Sequence, residues 1–216
     1  MGVLMRAVVF DLDGTLIDSL PDIAGAVNHA LAQRGLAPLP APQIRPMIGD
    51  GAAVLLDRAF AARGAKPVAA DMAAFMAHYT AHGADETAPY PGIVAALTAL
   101  RAAGHRLAVC TNKPERAARE ILASLNLAGF FEVVTGGDAT PYRKPDPRHL
   151  AATLAALRAS DAAMVGDHFN DMAAAAGCGI PGIFAAWGYG AAPSPHVAQA
   201  AADLPGIIAS LPPEKG

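Results

Sequence analysis

The chain has 216 residues, 53% of them hydrophobic and only 16% charged, enough for a sizeable core with an inserted module but short for two full domains. A net charge of −3, with no basic stripe interleaved with aromatics, excludes nucleic acid and an anionic membrane surface as main partners. No apolar span approaches the roughly 20 residues of a membrane helix. Met1 to Phe10 has no secretory pattern, and Cys110 and Cys178 form no disulfide framework, so a cytoplasmic protein with buried free thiols is expected.

The first predicted element is a strand over Ala7–Phe10. It ends abruptly in Asp11-Leu12-Asp13-Gly14-Thr15, so two carboxylates leave a buried strand at its C-terminal tip, where open α/β sheets place ligands. As the chain turns into Gly14, the pair suits one metal and one reacting centre. An acidic turn capping the strand is the plainer alternative.

Residues 20–84 then read as helical. Ile23, Ala26, Val27, Ala30 and Leu31 form one apolar face, with Pro21 and Asp22 suited to its first turn. Val54, Leu55, Ala59 and Phe60 form a second face, and Met72, Phe75, Met76 and Tyr79 a third, all taken as core. Between them, Asp50 is expected to N-cap a helix beginning near Ala52. Lys66, flanked by Gly64 and Pro67, falls in a loop. The run from Gly83 to Pro91 returns the chain.

Beyond it, strands are predicted at Arg106–Thr111, Glu132–Thr135, Ala162–Val165 and Gly182–Ala186. Helices are predicted at Gly92–Ala103, Pro114–Leu125, Asp146–Leu157, Asn170–Ala176 and Leu204–Leu211, with Gly104, Gly129 and Gly177 as helix stops and Pro212–Gly216 as a frayed tail. The alternation specifies a parallel sheet with crossover helices. The expected organisation is an α/β core of residues 1–18 and 86–216 and a helical cap of residues 19–85.

Three more signals fall at predicted strand tips. Val109-Cys110-Thr111-Asn112-Lys113 ends a strand in a hydroxyl and an amide before Pro114 opens a helix, an arrangement suited to phosphate oxygens, although a plain helix cap reads the same way. Arg143-Lys144-Pro145-Asp146-Pro147 holds a lysine in a stiff turn, which would place an ammonium against an anion or leave it in solvent. Gly166-Asp167-His168-Phe169-Asn170-Asp171 ends a strand in a carboxylate, with another four residues on. Asp167 joins Asp11 as a ligand for a hard divalent cation, for which oxygen donors favour Mg²⁺. Asp171 either supports that metal or complements its helix dipole.

All four motifs, in this order and covering nearly the whole chain, resemble the haloacid dehalogenase superfamily. The resemblance is to its phosphatase branch with a helical cap, nearest the phosphoglycolate phosphatase-like members. It implies a Rossmann-like three-layer core and a Mg²⁺-dependent phosphatase of a small phosphorylated metabolite, 2-phosphoglycolate before sugar phosphates. By that resemblance Asp11 is the nucleophile and Asp13 the general acid and base, its backbone carbonyl also on the metal. Thr111 and the Asn112 amide hold the phosphoryl group, Lys144 neutralises charge, Asp167 ligates Mg²⁺, and Asp171 supports Lys144 or a metal-bound water. The segment Arg45–Gly51 looks like the cap's specificity loop, with Gly49 letting backbone approach the ligand and Arg45 facing a substrate carboxylate or hydroxyl, or solvent. A homodimer is left open.

His168 departs from the family pattern, which often has Ser or Thr there; a role off the metal is favoured because imidazole suits softer ions. Other members of the superfamily fit less well. A phosphomutase needs a cap His and Lys that the insert lacks. A phosphonatase needs a cap lysine, and only Lys66 is available. A dehalogenase lacks the equivalent of Asp13. A non-catalytic protein keeping the fold would not need all the motif residues.

Overall fold

The protein is described here from a computed structural model covering residues 5–212, so most of the expected C-terminal tail lies outside the described residues. In chain order the elements are β1 (Ala7–Phe10), β2 (Ile17–Asp18), α1 (Leu20–Gln33), α2 (Ala41–Ile44), α3 (Ala52–Ala61), α4 (Ala69–His82) and β3 (Ala88–Pro89). They continue as α5 (Ile93–Ala102), β4 (Arg106–Cys110), α6 (Glu115–Ser124), β5 (Val133–Thr135), α7 (Pro147–Leu157) and β6 (Ala162–Gly166). The last are α8 (Phe169–Gly177), β7 (Gly182–Ala185), β8 (His196–Ala198) and α9 (Leu204–Ser210).

Six parallel strands form one sheet in the order β5-β4-β1-β6-β7-β8. Strands buried on both faces need near-continuous apolar runs, and β1 supplies one. Val8 and Phe10 join the core cluster that includes Ile93 and Leu97 of α5, Leu122 of α6 and Leu204 of α9. Ala7 and Val9 join Leu150 and Leu157 of α7 and Ala174 of α8 on the opposite face. From β1 the chain goes to β4 on one side and later to β6 on the other, so the sheet's switch point lies at the tip of β1, where Asp11 emerges.

The four helices α1–α4 pack together, chiefly through α1 and α4, over the C-terminal tips of the strands. The two connections to them pair as a short antiparallel ribbon, Ile17 opposite Pro89 and Asp18 opposite Ala88. Asp22, buried in the first turn of α1, accepts the Glu86 and Thr87 backbone N–H groups and the Thr87 hydroxyl, locking the outgoing segment to the returning one. Among the described residues no helix is long and apolar enough to cross a membrane.

Several local expectations are corrected. Asp50 does not cap α3: the N-cap is Gly51, at φ +88°, and makes no side-chain cap bond. Asp50 instead accepts from Asn170 Nδ2 at 2.6 Å and pairs with Arg58 at 2.6 Å, because a full positive charge within reach along α3 outcompetes an N-cap bond. After α6 the left-handed stop is Asn126 (φ +57°) rather than Gly129, and after α8 it is Gly179 (φ +73°) rather than Gly177. Gly104 does turn the chain after α5, at φ +87°. Cys110 is buried, but Cys178 is only half-buried; both thiols are free. The three-residue edge strand β8, close after Pro193 and Pro195, carries too short a pattern to be read in advance.

His149 of α7 is fully buried, with Nε2 3.1 Å from the Gly136 carbonyl and Nδ1 unpartnered. Burial, reinforced by the charge of Lys144, holds its pKa below the usual histidine value. Below about pH 6.5 the unfolded chain therefore takes up a proton that the fold resists, and stability must fall as pH falls through that value. His149→Gln is expected to remove this contribution. Urea unfolding at pH 7 and pH 5 should show the wild type losing more stability than the variant over that interval.

Candidate active site

Each strand tip around β1 contributes one functional group. Asp11 follows β1, with its N–H donating to the Val165 carbonyl at 2.9 Å, so β6 fixes where the carboxylate starts. Thr111 follows β4, with its N–H donating to the Thr135 carbonyl at 3.0 Å and its hydroxyl accepting the Lys113 N–H at 3.2 Å. Asp167 follows β6. Lys144, from the segment before α7, reaches in with its Nζ 2.9 Å from Asp11 Oδ1 and 2.7 Å from Asp171 Oδ1.

These four residues and Asp171 are all buried. Burial alone would pull the Lys144 pKa down; the charges of Asp11 and Asp171 outweigh it and hold the ammonium above the usual lysine value. Asp171 spends its second oxygen on the His168 N–H at 3.0 Å, which makes it the anchor of Lys144 and of the α8 N-terminus together. Gly166 has no side chain because a Cβ there would lie 2.3 Å from the Asp171 carboxylate.

Asp167 is gripped on both oxygens. Oδ1 accepts the Thr15 hydroxyl at 2.9 Å, and Oδ2 accepts the Tyr189 N–H at 2.7 Å and the Gly190 N–H at 3.3 Å. Burial and the neighbouring Asp11 charge still push its pKa up to about 6. Carboxyl oxygens of Asp11, Asp167 and Asp171 lie within 4.8 Å of one another. Three acids so close, with Lys144 as the cation among them, make a site that a divalent cation fits: it would cancel the like-charge cost that raises Asp167. Asp167 and Asp171 each already accept hydrogen bonds on both oxygens, whereas Asp11 Oδ1 accepts none, so Asp11 is the side chain with the clearest spare capacity for it.

The loop bearing Asp167's donors leaves no room for substitution. A Cβ at Gly188 would lie 2.2 Å from the Asp167 Cβ and 2.3 Å from the Gly14 carbonyl oxygen. Gly188→Ala is therefore expected to push the carboxylate out of place. Binding of a divalent cation, titrated with Mg²⁺, should weaken at least about 10-fold, the lower end of what losing a group that orients a metal ligand costs; an unchanged titration would show that this loop does not position the site.

Asp13 occupies a different environment. Its two oxygens each lie 2.9 Å from Lys113 Nζ, and Oδ1 also accepts the Ser19 hydroxyl at 2.6 Å. Lys113 in turn donates to the Tyr79 hydroxyl of α4 at 2.6 Å. Lys113, Tyr79 and Ser19 are functional contacts that the motif reading passed over. The Thr111-Asn112-Lys113-Pro114 run did contain the signal, a lysine next to phosphate-holding groups, but its partners come from sequence positions 100 and 34 residues away.

The cap reaches the same place from above. Gly49, at φ +120°, presents its carbonyl to Asn112 Nδ2 at 2.9 Å and to Asn170 Nδ2 at 3.3 Å, and a Cβ there would sit 3.0 Å from the His168 ring. The Asn112 side chain also donates to the Lys144 carbonyl at 2.8 Å, so it ties cap, β4 tip and lysine segment together. Its side-chain amide is thereby spent, and only its backbone N–H is suited to an anion. His168 Nδ1 accepts the Asn170 N–H at 3.3 Å as the N-cap of α8, and burial lowers its pKa.

Arg45 is exposed, as the solvent alternative expects. Its guanidinium donates to the Gly188 carbonyl and lies over the Tyr189 ring, 5.9 Å from the centroid. The cavity between cap and core is lined by Asp11, Asp13, Thr111 and Lys113 below and by apolar cap side chains above, and Arg45 is not on its wall. Tyr189 completes that latch: its hydroxyl accepts the Ser19 and Leu20 N–H groups at 2.7 and 2.9 Å and donates to Asp18 at 2.8 Å.

A parallel α/β sheet whose switch point bears a carboxylate pair, a buried lysine and a third strand-tip aspartate, roofed by an inserted helical cap, defines a hydrolase built around aspartate chemistry. A family model for haloacid dehalogenase-like hydrolases matches residues 5–179, and the chain belongs to that family. It is 47% identical over 189 residues to a phosphoglycolate phosphatase of Caulobacter vibrioides, the match covering 84% of this chain and 79% of that one. It is 48% identical over 193 residues to a phosphoglycolate phosphatase of Cereibacter sphaeroides, covering 88% of each. The fold is similar to the crystal structure of a predicted phosphoglycolate phosphatase from Haemophilus somnus, with TM-score 0.88 and 29% identity over 94% of this chain and 97% of that one.

Proposed function

We infer that this protein is a Mg²⁺-dependent phosphomonoester hydrolase of a small carboxylated metabolite, with 2-phosphoglycolate as its substrate. The observation that carries the reaction is the split between the two carboxylates. Asp11 faces Lys144 and Asp167, whereas Asp13 faces Lys113 and Ser19. Two acids two residues apart in different surroundings can take the nucleophile and proton-transfer roles.

In this reading the Asp11 carboxylate attacks phosphorus, an Asp11 O–P bond forms as the ester P–O bond breaks, and Asp13 gives its proton to the leaving oxygen. Asp13 then takes a proton from the water that cleaves the aspartyl-phosphate, releasing inorganic phosphate. Lys144 holds the incoming phosphate and the nucleophile at one charge centre, while the Thr111 hydroxyl and the backbone N–H of Asn112 orient the phosphoryl oxygens. Asp11, Asp167 and the Asp13 carbonyl would hold Mg²⁺, which supplies positive charge between two anions that otherwise repel.

The cavity wall supports a small leaving group over a sugar. Ile23, Ile48, Leu55, Phe75 and Met76 face the space beyond the phosphate seat. Sugar hydroxyls buried there would lose hydrogen bonds to water at about 1–3 kcal/mol each, whereas a two-carbon acid carries a single polar group, its carboxylate, which needs one ionic partner rather than several. The names of the relatives point the same way. Phosphate release from 2-phosphoglycolate, glucose 6-phosphate and p-nitrophenyl phosphate, with Mg²⁺ and with excess EDTA, tests this. Turnover of 2-phosphoglycolate should lead and vanish with EDTA; faster hydrolysis of the sugar phosphate, or full activity in EDTA, would overturn it.

A further inference from the structure

We propose that Lys113 of the core and Tyr79 of the cap form an anion subsite that binds the substrate's carboxylate, separate from the phosphate seat. The inference rests on the phosphomonoesterase reading above and extends it to the residues that choose the leaving group.

Lys113 is the cation on a cavity wall otherwise made of acids, small polar groups and apolar side chains. It is buried, and whereas Lys144 pairs with Asp11, Lys113 pairs with Asp13. An ammonium has three donors, and here two lie on Asp13 and the third on the Tyr79 hydroxyl. Tyr79 accepts that bond, so its own O–H proton remains to be donated, and among the described residues it has no recorded acceptor. Burial pushes the Tyr79 pKa up to about 12, partly offset by the Lys113 charge, so the hydroxyl stays a donor across the working pH range. The ring is held by parallel stacking on Phe75 at 5.8 Å and by the Lys113 ammonium over its face at 4.5 Å.

Position assigns the ligand. Lys113 is two residues beyond Thr111 at the β4 tip, and its Nζ bonds the side chain two residues beyond Asp11. Asp11, Thr111, Lys113 and Tyr79 line one cavity, so a group one carbon past the ester oxygen of a phosphate seated on Asp11 and Thr111 enters the space that Lys113 and Tyr79 border. A carboxylate supplies acceptors for both and takes over one of the two places Asp13 now holds on the ammonium. A neutral group leaves the buried Tyr79 O–H without an acceptor and Lys113 on Asp13 and Tyr79 alone, and sites built to hydrogen-bond one substrate reject analogues that lack the bond. Since one anchor is on the cap and the other on the core, the carboxylate also bridges the two.

The test compares 2-phosphoglycolate with ethyl phosphate, which replaces the carboxylate by a methyl group, in the wild type, Tyr79→Phe and Lys113→Gln. The wild type should favour 2-phosphoglycolate in kcat/KM by at least about 100-fold. Each variant should reduce that ratio at least about 10-fold, whatever its effect on ethyl phosphate alone. Tyr79→Phe keeps the Phe75 stack and removes one oxygen, so it serves where Lys113→Gln fails to fold, and its loss should appear mainly as a raised KM for 2-phosphoglycolate. A wild type that hydrolyses both esters equally, or a folded Tyr79→Phe with an unaltered ratio, overturns the subsite while leaving the phosphatase reading intact. A folded wild type that releases phosphate from neither ester with Mg²⁺ overturns the phosphatase reading and the subsite with it.

Discussion

Asp11→Asn should lower kcat by at least about 10⁴-fold, the scale at which loss of a covalent nucleophile is felt, while leaving the protein folded. An amide oxygen cannot displace an ester from phosphorus at a comparable rate, and no neighbouring group stands in the same place. Asp13 is held by Lys113 and Ser19, and Asp171 is consumed by Lys144 and the His168 N–H. Stability should survive for a physical reason. The amide keeps the shape of the carboxylate, Lys144 keeps its 2.7 Å partner Asp171, and Asp167 loses the like charge that, after burial, helps to raise its pKa. Stopped assays with wild-type-like thermal unfolding would check both halves. A variant retaining a tenth of wild-type turnover would remove Asp11 from the covalent role.

What could be read in advance was what the chain encodes locally. Asp11, Thr111 and Asp167 each end an apolar run at a sharp change of composition, and a parallel sheet brings such ends together. Their convergence followed from strand tips alone. Lys144 is legible for another reason, as a cation held in a stiff turn by the prolines that follow it. Contacts made across the cap interface were not legible, because nothing local distinguishes them. Tyr79 falls on the apolar stripe of α4 and does pack on Phe75, yet its hydroxyl meets a lysine from β4. Tyr189 lies in a glycine-rich loop, where an aromatic residue reads as surface until the ribbon of β2 and β3 is placed beside it. Asp50 shows the converse error: an N-cap is its plausible local task, and stronger partners from α3 and α8 draw it off.

Lys144→Met should cost both activity and stability, and the two losses separate by design. The side chain is fully buried between Asp11 and Asp171. Removing one partner of such a cluster strands the others in a medium that cannot solvate them, at about 3–5 kcal/mol. The pH dependence follows from Asp171, whose pKa burial pushes above the usual carboxylate range against the pull of Lys144. Without the lysine that pull is gone, so between the unfolded value near 4 and the raised folded value the native state binds the extra proton. Stability must then fall as pH rises through this window, and unfolding in EDTA should show a larger deficit for the variant at pH 8 than at pH 5. The double variant Lys144→Met with Asp171→Leu removes the stranded charge and should recover much of the stability at pH 8, because an apolar replacement of a buried pair is often neutral. It should recover no turnover, since the charge that faces phosphate and nucleophile is still missing. Restored stability with restored activity would mean that Lys144 acts only through Asp171, and a deficit equal at both pH values would mean that Asp171 is not the group left exposed to the cost of burial.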